Sequence, residues 1–192
     1  MRPYEFQEII KAWFAISLAF AILLARGNIF SSNIIYFFLV SGFTVGIGFL
    51  CHELAHRYFA RKYGYRAEFR AFDFMLVLAI LMSFFGFIIA APGAVFIDPR
   101  GKRFSLAKNG KISLAGPMAN FILAIIFLNF HTFSFGIHFL QDLGRYGFLI
   151  NTWLGLFNLI PFGNFDGSKV FAWNKGIYIL AVLLGIIMLF FH

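Results

Sequence analysis

Charged residues are scarce in this chain. It has 16 lysine and arginine residues and 8 aspartate and glutamate residues in 192 positions, so only 12% of it is charged, whereas 61% is hydrophobic. A soluble domain of this size does not have such a composition. Long apolar runs separated by short polar stretches instead indicate a polytopic helical membrane protein, in which each crossing takes about 20 apolar residues.

Other absences narrow the possibilities further. The single cysteine, Cys51, excludes an internal disulfide, and we expect it to be a small apolar residue inside a helix. The sequence contains no internal repeat, low-complexity tract or linker, so we predict one membrane-embedded domain over residues 1–192. Although the formal net charge is +8, no soluble basic domain is present, and we exclude nucleic acid as a partner.

The basic residues mostly flank apolar segments, as cytosolic loops of membrane proteins do. The first apolar run, residues 12–25, is predicted to form a transmembrane helix extended toward Phe6, with Arg2 and Lys11 holding its start in the cytosol. Its short length and basic start leave a cleaved signal peptide as the alternative. A second helix is predicted from Ile34 through Leu50, ending in the cytosol at five basic residues, Arg57, Arg61, Lys62, Arg66 and Arg70.

Segment 72–98 has basic clusters on both sides, which a single crossing would place on opposite faces of the membrane. The second cluster comprises Arg100, Lys102, Arg103, Lys108 and Lys111. Because both clusters favour the cytosol, we predict that the segment re-enters the membrane without crossing it. Within it, GAVFI at 93–97 is bounded by turn residues and is predicted to be a strand on the cytosolic side.

Three further helices complete the predicted fold. They begin near Lys111, run from about Gly147 to Ile160, and run from Ala172 to Phe191. The fold class is therefore predicted as an all-α polytopic membrane protein with five to six transmembrane helices and a small cytosolic-side β element. Five crossings plus one re-entrant segment is the preferred arrangement, and six crossings is the alternative.

One apolar segment carries three ionisable residues in the pattern H-E-x-x-H. His52 and His56 are four positions apart, so on a helix both imidazoles lie on one face and reach one metal ion. Glu53 is placed beside them, as suits a general base in a metalloprotease. Ionisable residues inside a membrane segment are costly and by default functional, which makes core histidines without a metal the weaker interpretation.

A catalytic zinc ion usually has three protein ligands, so two histidines need a third. Most remaining carboxylates and histidines lie at segment ends, in loops or in the predicted linker between two helices, where we expect solvated or interfacial roles; they are Glu5, Glu8, Glu68, Asp73, Asp98, His131, His138 and Asp142. Asp166 differs because Pro161, Gly163 and Gly167 interrupt regular helix around it and allow its carboxylate to be directed inward. We therefore favour Asp166 as the third ligand, with a solvated turn residue as the alternative.

Three motifs together resemble the site-2 protease family of intramembrane zinc metalloproteases, especially its short archaeal and bacterial members. They are HELAH at 52–56, AGPMAN at 115–120 and NLIPFGNFDG at 158–167, and the resemblance covers about residues 34–170. It implies His52, His56 and Asp166 as ligands of one Zn²⁺ per chain. It also implies Glu53 as the catalytic base, Asn158 in substrate or transition-state binding, and a structural bend at Gly116 and Pro117.

The resemblance further implies transmembrane protein substrates, cleaved within or next to their membrane segments by regulated intramembrane proteolysis. Ligand geometry then requires Asp166 to lie at the same depth as His52, near the cytosolic side of the cell membrane, and a re-entrant 72–98 satisfies this. No PDZ or CBS domain is recognisable, and the oligomeric state is left open. The rival interpretation is a metal or proton transporter using the buried His and Asp residues, although such a protein has no need of Glu53. A catalytically inactive scaffold is disfavoured because the three expected zinc ligands, His52, His56 and Asp166, and the expected base Glu53 are all present.

Overall fold

The computed structural model of the protein describes residues 3–88, 91–101 and 104–190. Within these residues the order of elements is α1 (Pro3–Leu24), α2 (Ile34–Ser41), α3 (Ile47–Lys62), β1 (Arg66–Ala71), α4 (Asp73–Ser83), β2 (Gly93–Asp98), α5 (Leu106–Thr132), α6 (His138–Asn158), α7 (Asp166–Trp173) and α8 (Lys175–Leu189). A π-helical turn at Gly42–Gly46 joins α2 and α3 into one long helix. The predicted helical fold with a small β element is confirmed.

Three helices of the described chain are long and apolar enough to cross a membrane. They span Pro3–Leu24, Ile34–Lys62 and Leu106–Thr132, and α4 and α8 are shorter apolar helices. On such helices a side chain exposed from the protein is a candidate for lipid contact, as for Phe14 and Ile125. Length and composition are thus consistent with a membrane location.

Two apolar clusters hold the helices together. One contains buried residues of α1, α3, β1 and α4, including Ile16, Phe49 and Leu76. The other contains buried residues of α5, α6 and α8, including Phe121 and Phe148. Helices α3 and α5 also pack directly on each other, and His52 and His56 of α3 face Gly116 of α5.

The two strands form a two-stranded antiparallel sheet, in which Phe69 of β1 is opposite Val95 of β2. Because antiparallel pairs alternate in hydrogen bonding, the Phe69 and Val95 amides point to the two outer edges of the sheet. The segment between the two strands begins and ends side by side, because the Phe72 N–H donates to the Pro92 carbonyl over 3.1 Å. The predicted strand at GAVFI is therefore present and has one edge free of β1.

Glu5 and Glu8 are buried, which corrects the expectation that they are solvated or interfacial. Only 3% of Glu5 and 7% of Glu8 is exposed. Their carboxylates accept the outward N–H groups of Phe69 and Ala71, at 3.2 and 3.0 Å. Glu5 also pairs with Arg57 at 2.6 Å. The sequence could not reveal this, because these partners are more than 50 positions away and belong to β1 and α3.

Helix α6 begins nine positions earlier than the apolar run predicted. Instead of starting near Gly147 it starts at His138, so Asp142 lies inside the helix rather than in a linker. The early part of α6 is amphipathic: Leu143 is buried, whereas the neighbouring Arg145 is exposed. A continuous apolar run therefore does not show where this helix begins. Apolar residues that recur with the 3.6-residue period of a helix are the better indication.

Other boundaries differ for local reasons. Helix α5 begins at Leu106, capped by the Ser105 side chain, rather than near Lys111. The final predicted helix is divided into α7 and α8 at Asn174, whose extended backbone and side-chain cap begin a new helix. Arg2, Ile89, Ala90, Lys102, Arg103 and Phe191, which belong to predicted segments, lie outside the described residues.

Candidate metal centre

His52 and His56 meet on one face of α3, as their spacing predicts. Both are buried, with 5% and 8% exposed, and their Nε2 atoms are 3.0 Å apart. The π-helical turn before α3 inserts an additional residue into the helix and so rotates the histidine face relative to α2. Gly42 and Gly46 in that turn lie directly against Trp13 of α1, so the absence of side chains at these positions lets the two helices pack closely.

Asp166 joins the histidines from a distant part of the chain. It is the first residue of α7, and its Oδ2 lies 3.2 Å from His52 Nε2 and 3.0 Å from His56 Nε2. The preceding turn includes Gly163 with a φ of +59°. Gly167 fits so closely against the Leu159 carbonyl that a Cβ atom there would collide with it. Glycine after Asp166 therefore lets the carboxylate reach the histidines.

The three ligand atoms fit a zinc ion. Zinc bound tetrahedrally at about 2.0–2.1 Å separates its ligand atoms by about 3.3 Å. The edges of the triangle formed by His52 Nε2, His56 Nε2 and Asp166 Oδ2 measure 3.0 to 3.2 Å. Two neutral imidazoles and one carboxylate form a donor set typical of catalytic zinc, and all three residues are buried.

Both imidazole rings are fixed by hydrogen bonds on the side away from the triangle. His56 Nδ1 lies 2.7 Å from the Ile112 carbonyl, which can only accept a hydrogen bond, so Nδ1 carries the proton. His52 Nδ1 lies 2.6 Å from Asn120 Oδ1. Such contacts present the Nε2 lone pairs to the metal position and fix the ring orientation.

Glu53 is buried beside the triangle but is not one of its corners. Its Oε2 accepts the outward N–H of Val95 on β2, at 3.0 Å. Glu53 thus lies between the metal position and the free edge of the sheet. This arrangement gives a carboxylate that is held in place while remaining beside the metal position, as a general base requires.

A cavity of about 580 Å³ opens onto the three ligand residues. Asn158, at the end of α6, lines it, and its Nδ2 donates to the Leu154 carbonyl at 2.9 Å. Val95 and Ile97 of β2 line another part of the wall. The cavity is therefore bounded both by the predicted metal ligands and by the edge of β2 that is not paired with β1.

Several residues around the centre were not predicted. Lys169 lies one turn after Asp166, with its Nζ 3.8 Å from Asp166 Oδ1, the oxygen not directed at the histidines. Asn120 and Ile112 orient the histidines. A usable signal existed for Asn120, because a polar residue within the apolar stretch of α5 needs a buried partner. Lys169 and the Ile112 carbonyl offered no such signal.

Gly116 lies against both imidazoles. A Cβ atom at this position would collide with the Nε2 atoms of His52 and His56. The resemblance implied a bend at Gly116, and the structure adds that the absent side chain leaves space for the two ring nitrogens. Without that space the histidines would have to move away from Asp166.

We therefore predict that Gly116→Ala weakens zinc binding. Overpacking a close contact costs about 1–3 kcal/mol, so zinc affinity is expected to fall about tenfold or more in a chelator competition. Gly176→Ala is the matched control, since its Cβ would meet only Asn174 Oδ1, at 3.3 Å. Equal zinc affinities for the Gly116→Ala and wild-type proteins would contradict the assigned metal position.

Two histidines and an aspartate at zinc-ligand spacing, with a glutamate beside them, are the arrangement expected of a zinc metalloprotease. Residues 38–146 match the sequence model of peptidase family M50, and the chain belongs to this family. The resemblance to site-2 proteases is thereby confirmed, and zinc is the cofactor. The protein is a zinc metalloprotease.

Two relatives from Methanocaldococcus jannaschii match the chain. A protein named "Putative zinc metalloprotease" is 40% identical over 178 residues, which cover 92% of this chain and 90% of the relative. A second, named "Zinc metalloprotease", is 30% identical over 131 residues, covering 65% of this chain and 31% of the relative. The chain thus aligns with nearly all of the first protein and about a third of the second. No solved structure matches it significantly.

Proposed function

We propose that this protein hydrolyses peptide bonds within or next to transmembrane segments of other membrane proteins, as in regulated intramembrane proteolysis. The observation that carries the proposal is the location of the buried His52, His56 and Asp166 triangle, which lies where α7 meets two helices of membrane length, the long helix α2–α3 and α5. A protease centre placed there meets substrates that are themselves in the bilayer.

In this proposal His52, His56 and Asp166 hold one zinc ion. Zinc bound there supplies a Lewis acid that makes water more acidic. Glu53 accepts a proton from the attacking water while the water oxygen bonds to the scissile carbonyl carbon, and it then delivers this proton to the departing amine as the C–N bond breaks. Asn158, in the cavity wall, contributes to binding of the substrate or the transition state.

The proposed membrane arrangement has five crossings, formed by α1, the long helix α2–α3, α5, α6 and α8. Helix α1 supplies core residues and the buried Glu5, which favours a transmembrane helix over a cleaved signal. Segment 72–98 would re-enter the membrane. In support, Phe72 and Pro92 are hydrogen-bonded, and the 11 residues of α4 extend only about 16 Å, roughly half of the hydrocarbon thickness.

The basic residues support a location of the metal centre nearer the cytosolic side of the cell membrane. Arg61 and Lys62 lie in the last turn of α3, which leads into β1, and such residues favour the cytosol. The functional side chains come from α3, α5, α6, α7 and β2, which supports one membrane-embedded domain with its core at about 34–170. Transmembrane proteins and bilayer lipid are the proposed partners.

We further propose that the free edge of β2 binds the substrate as an additional strand. Helical peptide bonds are shielded by their own hydrogen bonds, so a substrate has to unwind before attack. Val95 and Ile97 line the cavity. The outward Val95 N–H is bonded to Glu53, so the backbone of Ile97 is the part of this edge proposed to meet the substrate, whereas the outer edge of β1 is bonded to Glu5 and Glu8. Of the two described strands, β2 is therefore the one with an edge suited to strand addition beside the metal position.

Ile97→Pro tests this binding mode. Proline removes the outward N–H but leaves the contact between Val95 and Glu53 and the pairing with β1 in place. We expect kcat/KM for a transmembrane substrate to fall about tenfold, with zinc content unchanged, because one or more backbone hydrogen bonds are lost. Ile97→Val is the matched control. Unchanged kcat/KM for Ile97→Pro would exclude substrate pairing at this edge.

The proposed function itself is tested with purified protein in liposomes. The substrate is a set of test proteins, each with one transmembrane segment that carries helix-destabilising residues at different depths, and mass spectrometry locates each cut. We expect zinc-dependent cuts within the apolar segment or directly beside it. Cuts confined to soluble regions far from the segment would refute intramembrane proteolysis while leaving a zinc metalloprotease.

A further inference from the structure

Asn151 is a fully buried polar residue in the middle of α6, and it belongs to none of the three motifs. No part of it is exposed, and most of its neighbours along the helix are apolar. A buried amide without compensating hydrogen bonds costs several kcal/mol, so its contacts show what it does. Those contacts lead through a second buried residue, Asn120, to the metal ligand His52.

The orientation of the Asn151 amide is fixed by its own helix. Its Nδ2 donates to the Gly147 carbonyl, at 2.9 Å. A backbone carbonyl can only accept a hydrogen bond, so the atom facing it has to be the amide nitrogen. Asn151 therefore presents Oδ1, an acceptor, toward α5.

The orientation of Asn120 follows from that of Asn151. Asn120 Nδ2 lies 3.0 Å from Asn151 Oδ1 and 3.0 Å from the Gly48 carbonyl. Both of these partners are acceptors, so the amide nitrogen of Asn120 faces them and its Oδ1 faces away, toward His52. The close approach is possible because Gly48 has no side chain; a Cβ there would collide with Asn151 Oδ1.

The orientation of Asn120 then determines the proton position on His52. Asn120 Oδ1 accepts from His52 Nδ1 over 2.6 Å, so Nδ1 carries the proton and the Nε2 lone pair is directed at His56 and Asp166. We propose that Asn151 is a positioning residue that orients Asn120 and thereby holds His52 in the tautomer that binds zinc. This inference rests on the proposed zinc ligation by His52, His56 and Asp166.

Asn151→Leu tests the inference by removing both the acceptor and the donor while keeping the branching and the number of heavy atoms of the side chain. Loss of a partner behind a zinc-ligating histidine typically costs about 10–100-fold in metal affinity, and we expect a zinc dissociation constant raised by that factor in a chelator competition. Asn151→Asp retains an acceptor for Asn120, so its dissociation constant should lie between those of the leucine variant and the wild type.

Thr152→Val is the matched control. Thr152 is the next residue of α6 and is equally buried, but its hydroxyl donates to the Phe148 carbonyl within the same helix. Loss of this bond lowers stability, as the loss of other buried hydrogen bonds does, but it leaves the metal ligands unaffected. We expect its zinc dissociation constant to stay within about twofold of the wild-type value.

A double variant distinguishes positioning through Asn120 from general loosening of the fold. If Asn151 acts only through Asn120, then Asn120→Leu combined with Asn151→Leu binds zinc as Asn120→Leu alone does, because coupled residues are not additive. Additive losses would overturn the inference, as would wild-type affinity in Asn151→Leu or an equal loss in Thr152→Val. Should Asn151→Leu not fold, the same comparison with Asn151→Asp decides between coupled and additive effects.

The outcomes separate this inference from the proposed function. If His52→Ala retains full zinc affinity, the proposed ligand set is wrong, and the role of Asn151 falls with it. If His52→Ala loses zinc but the Asn151 variants bind zinc like the wild type, only the positioning role is refuted.

Discussion

Glu53→Gln is expected to abolish peptide cleavage while leaving the zinc content of the protein unchanged. The carboxylate is held by the Val95 amide beside the metal position and is not a corner of the ligand triangle, so its replacement spares the ligands. General-base catalysis contributes about 10²–10⁴-fold, and kcat should fall by at least that factor. Single-turnover cleavage and metal analysis of the same sample measure the two quantities.

The control for this experiment is Glu68→Gln. Glu68 lies on β1 and pairs with Arg66 away from the cavity, at 3.1 Å, so its loss should leave kcat near the wild-type value. Cleavage by Glu53→Gln at the wild-type rate would exclude Glu53 as the base. If Glu53→Gln lost both its zinc and its cleavage activity, Glu53 would instead belong among the metal ligands.

Removal of zinc is expected to reduce cleavage to the background of the Glu53→Gln variant. His52, His56 and Asp166 supply two nitrogens and one oxygen, a donor set that suits zinc and not magnesium, which takes six oxygen ligands in near-octahedral geometry. Dialysis against a chelator followed by addition of Zn²⁺ should restore the original rate, whereas Mg²⁺ should not.

Two results would contradict this prediction. Full cleavage after complete removal of zinc, verified by metal analysis, would show that the reaction does not need the metal. Restoration by Mg²⁺ to the rate obtained with Zn²⁺ would show that the catalytic metal is bound by oxygen ligands elsewhere.

The local part of the centre could be predicted from the sequence. His52 and His56 form a helical i,i+4 pair, and such a pair meets on one face wherever the helix is placed. The apolar runs likewise indicated α1 and the long helix α2–α3, because the membrane requires helices of that length. These features depend on residues that are close together in the chain.

Features that depend on distant partners could not be predicted. Asp166 was favoured because helix-breaking residues surround it and the metal required a third ligand, but its distance to the histidines is a property of the folded chain. Glu5 illustrates the opposite case: it was expected to be solvated and is buried against β1 and Arg57. The hydrogen bonds from Asn151 to Asn120 and on to His52 similarly connect α6, α5 and α3.

Helix α6 shows a limit of a different kind. In a membrane protein an apolar run is the natural signal for a helix, but α6 begins with Gln141, Asp142 and Arg145 among its early residues. Asp142 is partnered there, because the Tyr36 hydroxyl donates to its carboxylate at 2.6 Å. A polar residue such as Asp142 can therefore be part of the helix, and its partner on α2 could not be predicted from the sequence.

The zinc content of the purified wild-type protein, measured beside Asp166→Ala, tests the central claim most directly. Asp142→Ala is the control, because it removes a carboxylate that bonds Tyr36 instead of the histidines. The three-ligand centre predicts about one zinc ion per chain in the wild type and in Asp142→Ala, and a sharp loss in Asp166→Ala. Wild-type protein without zinc after chelator-free purification, or full zinc content in Asp166→Ala, would contradict it.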